Sequence, residues 1–101
     1  MNQNEHVSEK YKMSEGIRLR HIGEIYLLVP YKNISQIGCD QFMATNYVGA
    51  MIWQACETPS SVQDIVDIMK EKFNVLEFEL RNDIENMIDL FKGYGLLVEV
   101  K

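Results

Sequence analysis

The chain's 101 residues are 47% apolar, enough for one small domain whose single core needs neither disulfide nor metal. Fifteen acidic residues against ten basic ones leave a net charge of −5, which opposes the phosphate neutralisation that nucleic-acid binding depends on. No apolar run is long enough to span a bilayer and the first ten residues lack a signal peptide's apolar region, so the expectation is a cytoplasmic protein without membrane contact.

Residues 1–12 are polar and aperiodic and predict a disordered tail, with the domain occupying 13–101. Ile17, Leu19 and His21 then alternate with Arg18 and Arg20, the period of a half-buried strand that closes at Ile22. Gly23-Glu24 supplies a turn, and Ile25 to Val29 makes a second strand ended by Pro30, so a hairpin is expected. After a loop over 31–38, Cys39 to Thr45 reads as a third strand, with Phe42 and Ala44 on one face and Gln41 and Met43 on the other.

Helical spacing begins after Asn46, which suits an N-cap. Val48, Met51, Ile52 and Ala55 form the stripe of a first helix over Tyr47–Cys56; Gly49 implies a close neighbour, and Trp53 a core plug whose indole N–H finds a partner. Pro59 breaks this helix, and Ser60-x-x-Gln63 reads as a capping box that starts a second helix at Ser61. Its stripe is Val62, Ile65, Val66, Met69 and Phe73. A third helix from Glu77 carries Leu80, Ile84, Met87, Ile88 and Phe91, has Glu77 and Glu79 at its positive end, and stops at Gly93 or Gly95. Leu96 to Val100 is a closing extended segment that pairs with a strand or docks on the helices. The whole predicts an α+β, winged-helix-like fold: a three-stranded antiparallel sheet followed by three helices.

No nucleophile elbow, phosphate-cradling glycine loop or H-E-x-x-H motif occurs, and Cys39 and Cys56 with His6 and His21 make neither a zinc set nor a cysteine–base pair. The carboxylates Glu77, Glu79, Asp83, Glu85 and Asp89 read as a solvated helix face. No enzyme, metal or cofactor is therefore expected. A winged-helix regulator that binds protein or, with less support, DNA is one reading; its candidate base-reading residues Arg81, Asn82 and Asn86 sit among those carboxylates, which repel phosphate. Peptide binding is the other. A three-stranded sheet has two edges, and the third strand could take an extended guest between itself and the third helix. Phe42 or Met43 with Ile84 and Ile88 would supply apolar pockets, although each of these residues, taken singly, reads first as core. An open edge could also pair with a second copy, giving a homodimer.

Several fragments, in this order and spacing, resemble the PqqD family, also called RiPP recognition elements. They are Glu15-Gly16-Ile17-Arg18-Leu19-Arg20, the hairpin, Thr45-Asn46-x-x-Gly49-x-x-Ile52-Trp53, Ser61-Val62-x-x-Ile65-Val66, Phe73-Asn74-Val75, Asp83-Ile84 and Gly95-Leu96-Leu97. The resemblance spans residues 13 to 100. It implies a winged-helix-like domain that binds the leader segment of a ribosomally made precursor peptide as an added strand and presents it to a modifying enzyme, often a radical SAM protein. The peptide contacts it implies, by location, are Gln41, Phe42, Met43 and Ala44 from the third strand and Arg81, Ile84, Glu85 and Ile88 from the third helix. The product of such a pathway, whether a quinone cofactor or a modified peptide, is not implied.

Overall fold

The computed structural model describes residues 9–31 and 43–100. Its elements are β1 (Lys10–Met13), β2 (Ile17–Ile22), β3 (Ile25–Pro30), β4 (Met43–Thr45), α1 (Tyr47–Ala55), α2 (Val62–Met69), α3 (Glu77–Gly93) and β5 (Leu97–Val100). The α+β class, the three-stranded antiparallel sheet and the three helices are as the periodicities predict. The sheet order is β2-β3-β4, and β1 pairs with β5 in a separate two-stranded sheet.

β1 is a correction. Residues 10–12, read from sequence as the end of a disordered tail, are a strand in antiparallel register with β5, from Lys10↔Val100 to Met13↔Leu97. Tyr11 is buried, and its main chain exchanges hydrogen bonds with Ser60 while the Met13 N–H donates to the Cys56 carbonyl. One apolar residue between two lysines carries no period, so this strand exists only through its non-local partners. Residues 1–8 of the expected tail lie outside the described residues.

The hairpin pairs Ile22 directly with Ile25 across Gly23-Glu24. Gly23 has φ +62° and no described non-glycine residue, Glu24 included, has positive φ, the pattern of a type II′ turn that matches strand twist. β4 continues the sheet through Leu28↔Met43, Leu27↔Ala44 and Tyr26↔Thr45. The remainder of the expected third strand, residues 39–42, lies outside the described residues. Leu28 and Ile17 carry the sheet's side of the core, and Met43 packs against it.

α1 begins at Asn46, whose side-chain oxygen accepts from the Gly49 N–H at 2.8 Å. A Cβ on Gly49 would stand 1.9 Å from Thr45 Oγ1, so the close neighbour is the end of β4 itself. Trp53 is buried and its Nε1–H donates to the Leu96 carbonyl at 2.9 Å, tying α1 to the start of β5. The α1 core face is Ala50, Ile52 and Trp53; Val48, Met51 and Ala55 of the predicted stripe pack at its margin.

The second helix starts one residue later than the sequence suggests. Ser61 is the N-cap and Asp64 its reciprocal partner, with Asp64 N–H donating to Ser61 Oγ at 3.1 Å and Ser61 N–H to Asp64 Oδ2 at 3.0 Å. The Ser60 hydroxyl instead donates to the Ala55 and Thr58 carbonyls, and Gln63 donates to Asp67. α2 stops at Met69, so Phe73 packs on the core from the following turn rather than from the helix. α3 ends in a Schellman motif. Gly95, at φ +78°, lets the Leu96 N–H donate to the Phe91 carbonyl at 2.8 Å and the Gly95 N–H to Lys92 at 3.1 Å.

Candidate functional site

β4 is the last strand in the β2-β3-β4 order, so among the described residues one side of its backbone has no strand partner. An unpaired ladder of N–H and C=O groups next to a helix can accept an extended chain. Beside β4, where it turns into α1, a groove of about 370 Å³ opens between α1 and α3. Asn46, Val48 and Ile52 form one wall and Asp83, Asn86, Met87 and Leu90 the other.

The geometry of α3 explains which residues face this groove. Leu80, Ile84, Ile88 and Phe91 are its buried stripe. At 3.6 residues per turn, Asp83, Asn86, Met87 and Leu90 fall on one flank of that stripe and Arg81 and Glu85 on the other. Leu90 is 42% exposed although apolar, and Met87 is half-buried. The helix thus leaves apolar surface beside its core stripe, with Met87 packed at the core's margin and Leu90 exposed.

The residues implied by sequence divide accordingly. Gln41 and Phe42 lie outside the described residues. Met43 is half-buried and Ala44 exposed, so neighbouring β4 positions present opposite faces. Ile84 and Ile88 are 0% and 1% exposed and belong to the core. They brace α3 from beneath and do not line the groove. Arg81 points toward α2, where its guanidinium donates to the Gln63 side chain and sits 3.4 Å from Glu77 Oε2. Glu85 lines a separate cavity of about 190 Å³ with Tyr11, Val62, Ile88 and Asp89. Of the eight named positions, then, Met43 and Ala44 are the described ones at the β4 edge, and the four helix positions lie in the core or on the α2 side. Sequence reasoning missed Val48, Asp83, Asn86 and Leu90 as groove residues. The available signal was Leu90, an apolar residue that the buried period leaves out.

Burial pushes the Cys56 thiol up to about 12, so it is no ready nucleophile. His21 is stacked on Tyr26, with ring centroids 4.1 Å apart, and is exposed at the hairpin. Among the described residues no group of His, Cys, Asp or Glu is arranged to hold a metal ion, and no helix is long and apolar enough to cross a membrane.

No curated protein matches the chain. A solved structure, TbiB1 in complex with the TbiA(beta) leader peptide, matches with a TM-score of 0.67 at 22% identity, over 85% of this chain and 93% of that one. At that identity the likeness is one of fold, and it spans both the sheet and the helices. The family model for coenzyme PQQ synthesis protein D (PqqD) matches residues 26–97, from the second strand of the hairpin to the start of β5, and the chain belongs to the PqqD family.

Proposed function

We propose that this protein binds the leader segment of a ribosomally synthesised precursor peptide, which adds as a strand at β4 and lies against α3, and that it presents the peptide to a modifying enzyme. The observation that carries this reading is a β4 edge with no second strand partner among the described residues, followed from Asn46 by an apolar groove between α1 and α3. Main-chain pairing supplies affinity there, and Val48, Met87 and Leu90 receive alternate side chains of the guest. Family membership and the leader-bound state of the structurally similar TbiB1 support it. The role is binding and not catalysis, the partner enzyme is of the radical SAM or another maturase class, and the setting is the cytoplasm where such precursors are made. DNA binding finds no comparable support: α3 carries five carboxylates, and its two cations, Arg81 and Lys92, are held by Glu77 and Glu99.

The test is a titration of isotope-labelled protein with a synthetic leader peptide taken from a precursor gene next to this one. Amide shifts are expected at 43–48 and 83–90, with Met87→Glu weakening binding about tenfold or more and the far-UV spectrum unchanged. Shifts confined to other surfaces would refute the groove. Without peptide, the same edge is open to a second copy, and sedimentation with and without the leader tells whether the guest displaces a dimer.

A further inference from the structure

We infer that the groove selects a guest with a Lys or Arg side chain opposite Asp83, beside apolar residues seated on Met87 and Leu90; the inference rests on the peptide-binding reading above. Asp83 is the one formally charged residue among the described residues lining the groove. It makes no ion pair with the described residues, although Arg81 lies two residues away on the same helix. Arg81 is turned away to Gln63 and Glu77, and Lys92 is held by Glu99 at 3.5 Å and lies over the Tyr11 ring.

Seating a guest would remove water from the apolar wall around this carboxylate. A carboxylate losing solvent without a partner opposes binding, and a cation on the guest reverses the sign. Glu79 sits one turn before Asp83, and both border the outer face of α3 beyond the groove, together with Arg81, whose charge is taken up by Glu77. Like charges at this spacing repel, so a cation beside Asp83 also relieves its repulsion from Glu79. The N-terminus of α1 also opens here and would favour an anion. Its partial charge is only about half a unit, however, and Asn46 already accepts from the Gly49 N–H. The net field at the groove therefore favours a cation.

Spacing narrows the chemistry further. Along a helix, Asp83 and Met87 are about 6 Å apart. Same-face side chains of a strand are about 6.7 Å apart. A guest strand running along α3 thus sets its cation two residues from the apolar anchor on Met87. The specified motif is a cation and an apolar residue two positions apart.

The experiment selects random dodecapeptides, displayed on phage, against the full-length protein and its Asp83→Asn, Asp83→Lys and Met87→Glu variants. The wild type is expected to enrich Lys or Arg two residues from an apolar position. Asp83→Asn should keep the apolar pattern, lose the basic preference and bind wild-type-selected peptides about fivefold more weakly. Asp83→Lys should enrich Asp or Glu at that position. Peptides that depend on Met87 yet show no basic preference, or the same preference with Asp83→Asn, would overturn this inference and leave the groove as the site. Peptides indifferent to Met87→Glu, or no enrichment at all, would overturn the inference together with the groove.

Discussion

Gly49→Ala tests the junction that sets the end of β4 against the start of α1. In a helix interior the change from glycine to alanine favours folding by about 1 kcal/mol. Here the new Cβ would stand 1.9 Å from Thr45 Oγ1 and 3.2 Å from Thr45 Cβ. The hydroxyl must swing away, and overpacking of this kind costs about 1–3 kcal/mol. The two effects leave Gly49→Ala destabilising by roughly 1 kcal/mol, the difference of the two ranges. In a Thr45→Ala background the hydroxyl is gone, leaving the 3.2 Å contact with Cβ and an ordinary 3.5 Å contact with Asn46 Oδ1. There the same substitution should be neutral or stabilising, with a coupling of about 1–2 kcal/mol between the two positions. Urea titrations followed by Trp53 fluorescence and far-UV ellipticity measure all four proteins. An equal gain from Gly49→Ala in both backgrounds would refute the reasoning, because it would mean Thr45 offers no resistance. Since Thr45 pairs with Tyr26 at the end of the candidate binding strand, a displaced Thr45 should also weaken leader binding in the single variant.

Trp53→Phe removes the indole donor to the Leu96 carbonyl, which keeps its hydrogen bond from the Ser14 N–H at 3.1 Å. With that carbonyl still satisfied, the cost should be about 1–3 kcal/mol from the lost bond and the smaller ring, read by urea titration; no change would refute the tie between α1 and β5. Ser61→Ala should cost about 1 kcal/mol at neutral pH through loss of the cap. The backbone hydrogen bond from Ser61 is the main reason the Asp64 carboxyl is held below its ordinary value, helped by the Ser61 hydroxyl and Lys10. Because the folded value lies below the unfolded one of about 3.9, this contribution is complete above that pH and is lost as pH falls through the folded value. The Asp64→Ala penalty should accordingly shrink as pH falls below about 3.9, and a penalty independent of pH would refute it. Cys56 is fully buried with its thiol pushed up to about 12, so in a Cys39→Ser variant a thiol reagent at pH 8 should react only as fast as the protein unfolds; rapid reaction of the folded protein would show an opening that reaches α1.

Sequence and structure part company where contacts are non-local. The Asn46 cap, the close approach at Gly49, the Trp53 partner and the glycine stop of α3 were all legible, because each depends on residues a turn apart or on one side chain's chemistry. The capping box was misplaced by one residue because both Ser60 and Ser61 can cap. Only the reciprocal bond to Asp64 distinguishes them. β1 was illegible, since Lys10-Tyr11-Lys12 acquires its strand character from β5 and Ser60, far along the chain.

The candidate site shows the same division. Local pattern alone shows that β4 leads into a capped helix, that α3 is acidic and amphipathic, and that the order of fragments resembles that of the PqqD family. Periodicity along α3 identified its buried stripe, and Ile84 and Ile88 belong to that stripe. It could not say which flank of the stripe looks toward α1 and which toward α2, because a helical period defines a face but not its neighbours. Packing decided it. With Arg81 held at α2 and Val48 and Ile52 of α1 on the opposite side, the groove falls to Asp83, Asn86, Met87 and Leu90.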